Sequence, residues 1–502
     1  MPRLRRDRPA LFYAALSLLG LLLLAGVLLA IFLPGESHRA APSTTTTTLP
    51  AAEPPPATTE PPPATTEPPP ATTEPPPATT EPPPTTTAPP LPAPPAPPAG
   101  PLRAVAVGPF AATVEWTGAG SPARVGYGLA DLGPTMWAPL EAGRANLSGL
   151  RFGTAYRVWA GDATLDLTTP GAPFSPAAAT GGGAILLDGQ PFFPLLVLAQ
   201  CPSGYENSLA AGITLYAENP CGGIADQTAA LNGRALSLTS ADEAGIGGAG
   251  VIGWYYPDEP DLKEITGDTL PQFPTQAATA RLSVLTLSNH FYSRTDALRA
   301  GRGVYPGLIA RSDMVGFDLY PLQEFCRADW LPDVAFSQHE LVQLAGGRPT
   351  FQWIETSTWR CHAPALRVTP TTVRAESWLA VAGGARGLGF FPADWPADVA
   401  PGIAAVSREV SALSAALLSP DAPVSATGPV IAAARALHGA FYVIAVNPTR
   451  KAVHTTIHAR GLAGRAASVV GEGRTVAAAR DSLQDDFAPL AVHLYVAAPA
   501  PG

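Results

Sequence analysis

The chain has 502 residues, 59 of them proline and only 14% charged, which makes it too long for one ordinary domain and too proline-rich to be globular throughout. A formal charge of -9 and a pI near 5.4 leave no basic footprint for nucleic acid. The eight histidines contain no HExxH or HxH pattern and the four cysteines are too scattered for a zinc knuckle, so no metal, no other cofactor and no protein partner is predicted.

Residues 1–9 carry Arg3, Arg5, Arg6 and Arg8 and read as a cytoplasmic basic segment before an uncharged, almost wholly apolar run from Ala10 to Leu33. At ~1.5 Å rise per residue a helix over residues 10–33 crosses a ~30 Å hydrocarbon core, so this is a transmembrane signal-anchor with the lipid bilayer as its partner. The alternative is a cleaved signal peptide, for which the following Ser37-His38-Arg39-Ala40 is a poor processing site. The positive-inside bias places everything after Pro34 outside the cell membrane, as a single-pass protein or, if the anchor is cleaved, a secreted one. Residues 34–100 are low-complexity and Pro/Thr/Glu-rich, and their central part repeats Pro-Pro-Pro-Ala-Thr-Thr-Glu, with Glu53, Glu60, Glu67, Glu74 and Glu81 in register. Triple prolines favour polyproline II and evenly spaced charge keeps the segment extended, as a stalk or as a linker of unconstrained length.

Residues 101–170 alternate short β-prone runs with turns, among them Ala112–Trp116, Ala123–Tyr127 and Thr154–Trp159, and predict a small β-sandwich. The run from Leu147 to Tyr156 resembles the tyrosine corner of fibronectin type III domains, which implies that Tyr156 bonds back to the chain and that Trp116 is the core tryptophan. From Ala184 a hairpin turning at Asp188-Gly189 leads into eight β-prone runs with helix-compatible stretches between them: Leu195–Ala199, Ile213–Tyr216, Ala235–Thr239, Val251–Tyr256, Leu282–Leu287, Met314–Tyr320, Thr350–Ile354 and Gly387–Phe391. Residues 184–420 therefore predict a (β/α)8 TIM barrel. On the sixth run, Val315, Phe317 and Leu319 should face the helices and Gly316, Asp318 and Tyr320 the barrel interior. Residues 421–498 return to β-runs and predict a small C-terminal β-sandwich. Cys201, Cys221, Cys326 and Cys361 follow strands one, two, six and seven, so adjacency favours Cys201 with Cys221 and Cys326 with Cys361.

The active site of such a barrel lies at the C-terminal ends of its strands. Strand four ends in Trp254-Tyr255-Tyr256-Pro257-Asp258-Glu259-Pro260 and strand seven in Trp353-Ile354-Glu355, which puts one glutamate on each of two strands nearly across the barrel. Here the sequence resembles the retaining glycoside hydrolases of clan A. The resemblance covers Ala184 to about Pro420 and implies Glu259 as general acid/base, Glu355 as nucleophile, and Tyr320 as the hydroxyl that hydrogen-bonds the nucleophile. Family members carry asparagine before the acid/base, where this chain has Asp258. That residue reads as a substrate contact or as the cap of a turn. Trp254, Trp353, Trp359 and Trp395 supply aromatic faces on which sugars stack, or core packing. His290 reads as a substrate contact or as a structural histidine.

The function these readings predict is a membrane-anchored extracytoplasmic glycosidase acting on oligo- or polysaccharide by retaining double displacement. The alternatives are a catalytically inactive barrel that binds carbohydrate at the cell surface, and a barrel hydrolase of another bond class.

Overall fold

The computed structural model of the chain describes residues 100–500 except Ser121, residues 244–247 and 392–395, and Ala463. The basic segment, the apolar run over residues 10–33, the stalk up to residue 99 and Trp395 lie outside the described residues. Among the described residues no helix is long and apolar enough to cross a membrane.

Eight parallel strands close into a barrel in chain order: β1 (Leu195–Leu198), β2 (Leu215–Ala217), β3 (Leu236–Ser240), β4 (Val251–Tyr255), β5 (Leu282–Leu287), β6 (Met314–Asp318), β7 (Thr350–Glu355) and β8 (Leu388–Phe391), with β8 pairing back to β1. All eight runs read from the sequence become strands, because short, continuously apolar segments can be satisfied only where both faces are covered. The alternation on β6 is as predicted. Val315, Phe317 and Leu319 pack in the outer core beneath the helices, and Met314 and Tyr320 join the interior cluster with Leu196, Leu236 and Phe351. Two glycines make room for the large interior rings. A Cβ at Gly316 would lie 2.3 Å from the Phe351 ring, and one at Gly389 2.1 Å from the Trp353 ring.

The helical layer is uneven. Three long helices, α1 (Leu331–Ala345), α2 (Pro370–Ala382) and α3 (Ala400–Leu417), cover the second half of the barrel, while the helices before them have at most eight residues. The β4–β5 connection shows why: it carries Pro257, Pro260, Pro271 and Pro274, which remove amide donors and leave only Gln276–Thr279 helical. The hairpin at Asp188-Gly189 is present, with φ of 50° and 75° at the turn, and a third strand, Ala178–Gly181, pairs with it.

Before the barrel, a three-stranded sheet (Leu102–Val107, Ala112–Trp116, Arg144–Leu147) and a four-stranded sheet (Arg124–Gly128, Met136–Pro139, Ala155–Ala160, Ala163–Thr168) enclose Val114, Tyr127, Leu147 and Val158. The hydroxyl of Tyr156 accepts the amide of Arg151 at 3.0 Å. Trp116 is not the core tryptophan of this unit: it is only partly buried and donates to the carbonyl of Gly120. The unit is bonded to α3. The buried Arg151 guanidinium donates to the Ser407 carbonyl and hydroxyl (2.9 Å each), Ser411 Oγ (2.7 Å) and the Gly212 carbonyl (2.7 Å), and Thr135 donates to the Ala412 carbonyl. After α3, a six-stranded and a three-stranded sheet share one apolar core that includes Phe441, Val443, Ile457, Leu483 and Phe487.

Candidate active site

β4 delivers the first group of carboxylates. Its register against β3 shifts between Val251 and Gly253, so that Ile252 and Tyr255 both join the interior cluster while Trp254 turns outward. Trp254 is 3% exposed and its ring stacks on Phe273 at 5.1 Å with an interplanar angle of 3°. The predicted substrate contact at Trp254 is thereby corrected to packing outside the barrel, because the bulge changes the phase of the strand. Prolines 257 and 260 bracket Asp258 and Glu259, and Glu259 takes φ 44°, a left-handed conformation that costs a non-glycine residue about 1–3 kcal/mol and persists only where the surroundings impose it. A chain of donors ends on Asp258: Trp353 Nε1 donates to Thr286 Oγ1 (2.9 Å), Thr286 bonds the Tyr255 hydroxyl (2.7 Å), and that hydroxyl donates to Asp258 Oδ1 (3.1 Å). Trp353 is thus a buried floor residue of the site, 1% exposed, and offers no free face to a ligand.

β6 delivers Asp318, which the sequence places inside the barrel without assigning it a role. Its carboxyl lies close enough to that of Glu259 for each to shift the other's ionisation. Burial raises both groups, and Asp318 is pushed well above the usual carboxylate range, first by burial and then by the charges of Glu259, Asp258 and Glu324. Two coupled carboxyls both raised in this way retain a proton between them. Asp258 is raised by burial against the opposing hydrogen bond from Tyr255. Glu324, also raised by burial, accepts both bonds from Asn289 Nδ2 at 3.0 and 3.1 Å. The Tyr320 hydroxyl is raised far by burial and then by Asp318, Asp258 and Glu259, which places it with this acidic group.

Glu355 is linked to this group through the charge of Glu324. At the end of β7 it is fully buried, its two oxygens accept the amides of Leu322 and Gln323 at 2.8 Å each, and it is hydrogen-bonded to Glu376 of α2. Burial pushes Glu355 up to about 8 despite the two amides, and pushes Glu376 well above its ordinary range, so Glu376 keeps the proton and donates it. Glu259 and Asp318 thus shift one another, as do Glu355 and Glu376. The donors to Glu355 are backbone amides in place of the anticipated Tyr320 hydroxyl.

Trp359 is 40% exposed and meets the Tyr320 ring edge-on at 5.5 Å, and Phe391 stacks on the other side of Tyr320 at 6.0 Å. These rings form an aromatic wall beside the carboxylates. His290 holds its own loop, with Nδ1 2.6 Å from the Asp296 carbonyl oxygen. Both disulfides, Cys201–Cys221 and Cys326–Cys361, are formed as strand adjacency favoured. Among the described residues no group of three His, Cys, Asp or Glu side chains is arranged to hold a metal ion. Gln323, Glu324 and Glu376 escaped the sequence reading. The first two lie in an irregular loop, and Glu376 sits on a helix face that only the packing of α2 against β7 makes interior.

No family model and no curated protein matches the chain. Among solved structures it is similar to a β-L-arabinopyranosidase from Geobacillus stearothermophilus (14% identity over 45% of this chain, TM-score 0.33), and spans about half, 52%, of that protein. It is similar also to an α-amylase from Anoxybacillus (10% identity, 60% of this chain and 90% of that one, TM-score 0.35) and to an endoxylanase from Clostridium papyrosolvens (11%, 61% and 96%, TM-score 0.34). Likeness at this level adds nothing to the barrel that the strand pairing already establishes.

Proposed function

We propose that the chain is a glycoside hydrolase that works with retention of configuration through Glu259 and Asp318. The observation that carries this reading is the proton-sharing carboxyl pair at the C-terminal mouth of a closed parallel barrel, set beside the exposed ring of Trp359. Cleavage of a glycosidic bond needs one carboxylic acid and one carboxylate, and groups whose environments push their pKa values apart supply them. Asp318, protonated, gives its proton to the departing glycosidic oxygen while Glu259, ionised, attacks the anomeric carbon and forms a glycosyl ester. Asp318, now ionised, takes a proton from water as that water attacks the same carbon and releases Glu259. Substrate entering between the two side chains opens the pair toward the ~5–5.5 Å separation that double displacement uses. Glu355 supports the site through the amides of Leu322 and Gln323, and Trp359 stacks on the saccharide.

The wider setting belongs to the same proposal: a single-pass anchor over residues 10–33, an extended stalk, and a catalytic unit outside the membrane. Two disulfides support an oxidising compartment. A fibronectin type III-like nature for residues 101–170 is supported by the three-plus-four strand arrangement and the Tyr156 corner.

The test is covalent trapping of the full-length protein with 2-fluoro glycosides, followed by peptide mapping. The ester is expected on Glu259. An ester on Glu355 would restore the pairing of strands four and seven. Saccharide binding without any hydrolysis would establish the surface-binding alternative.

A further inference from the structure

Gln323 is fully buried, and its side-chain amide bonds to five backbone groups of a single loop. Its Oε1 accepts the amides of Trp359 (2.9 Å), Arg360 (3.0 Å) and Cys361 (3.2 Å), and its Nε2 donates to the carbonyls of Leu366 (2.7 Å) and Cys361 (3.3 Å). Burying an amide is unfavourable unless its donors and acceptor are all matched. Asparagine and glutamine are the side chains that carry a carbonyl acceptor and two amide donors on one neutral planar group. The backbone of the same residue is fixed from the other side, where its amide and that of Leu322 donate to Glu355.

We propose that Gln323 is the positioning residue of the saccharide wall, setting the peptide planes of the Trp359 loop so that the exposed indole stands against Tyr320. The proposal rests on the reading of Trp359 as a saccharide contact. The indole is 40% exposed, so its own burial does not orient it and the backbone beneath it must. The Cys326–Cys361 disulfide ties the same two loops together but limits only their separation. Three amides converging on one oxygen fix direction. The order of support runs from Glu355 to the Tyr320–Gln323 turn, and from Gln323 to Trp359, so the strand-seven glutamate acts on the wall through this side chain.

The experiment compares Gln323→Met, Gln323→Glu and Trp359→Ala in the detergent-solubilised full chain. Hydrogen exchange of the Trp359 and Arg360 amides should quicken at least tenfold in Gln323→Met with both disulfides intact, and less in Gln323→Glu, which keeps the acceptor oxygen but loses the donors to Leu366 and Cys361. Against neutral hexasaccharides (α- and β-glucan, xylan, galactan), Gln323→Met should raise KM about tenfold while kcat changes less than threefold. Trp359→Ala should do the same, and the double variant should add nothing further. Unchanged exchange in Gln323→Met overturns the proposal, as does quickened exchange with KM unmoved. If the wild type binds a hexasaccharide without cleaving it, the hydrolase reading fails alone. Calorimetry then decides the positioning role: a Kd weakened about tenfold in both single variants upholds it and an unchanged Kd overturns it. A wild type that binds none of the hexasaccharides overturns both.

Discussion

Asp318 and Glu259 shift one another at the C-terminal ends of β4 and β6, and Glu355 and Glu376 do so between β7 and α2. In the proposed mechanism the first pair's proton passes from Asp318 to the departing oxygen. Asp318→Ala should therefore keep the nucleophile, still form the covalent intermediate from activated aryl glycosides, and yield with azide a product of retained configuration. Glu259→Ala should yield the inverted azide, and loss of either group should cost about 10²–10⁴ in rate on unactivated substrates. Product stereochemistry by NMR checks both. In the second pair the proton serves stability. Both carboxyls are raised by burial, Glu355 to about 8, so the folded state binds more protons than the unfolded state above the ordinary glutamate pKa. Their contribution is complete below ~4.3 and declines as pH rises toward 8. Glu376→Gln keeps a donor to Glu355 and removes one titrating group. Its melting temperature should fall less than that of the wild type between pH 5 and pH 8, as calorimetry at the two pH values would show.

Segment patterns explain how those groups are placed. β6 keeps strict alternation and sends Asp318 and Tyr320 inward, so this part of the site was open to reading from sequence. β4 does not keep it: the bulge next to Ile252 cannot be recognised in the string Val251-Ile252-Gly253-Trp254-Tyr255, and it exchanges the faces of Trp254 and Tyr255. The N-terminal sheets are bonded to α3 through Arg151, whose guanidinium, pulled down to about 10 by burial, bonds carbonyls and hydroxyls through Nη1 and Nη2, while its Nε has no partner among the described residues. Arg151→Ala leaves buried acceptors on both sides and should lower stability by about 2–4 kcal/mol. Urea unfolding should show a lower midpoint, and a second transition should appear as the sheets part from the barrel.

At the scale of the molecule, the two disulfides close loops of 20 and 35 residues on the catalytic face. Chain entropy assigns such loops about 3–4 kcal/mol each. Reduction should therefore lower the melting temperature, and the loss of activity should follow Cys326–Cys361, which joins the Gln323 and Trp359 loops. The proposed membrane anchoring makes a separate prediction. Protease applied to intact cells should cut the proline-rich stalk and release a soluble fragment that retains glycosidase activity, whereas protection of that fragment inside the cell would refute the proposed orientation.

By itself the sequence determined the eight strands, the hairpin, both disulfide pairs and the acidic turn at Asp258-Glu259. Each depends on local patterning, on the spacing of apolar runs, or on the order of neighbouring strands, all of which a linear string records. Only the tertiary structure decided which carboxylates meet. Glu355 was legible as a strand-end glutamate, but its partner Glu376 lies on α2, and the amides that cap it come from the loop after β6. A carboxylate's role depends on the groups within a few ångströms of it, and those groups come from distant parts of the chain that only the closed barrel brings together.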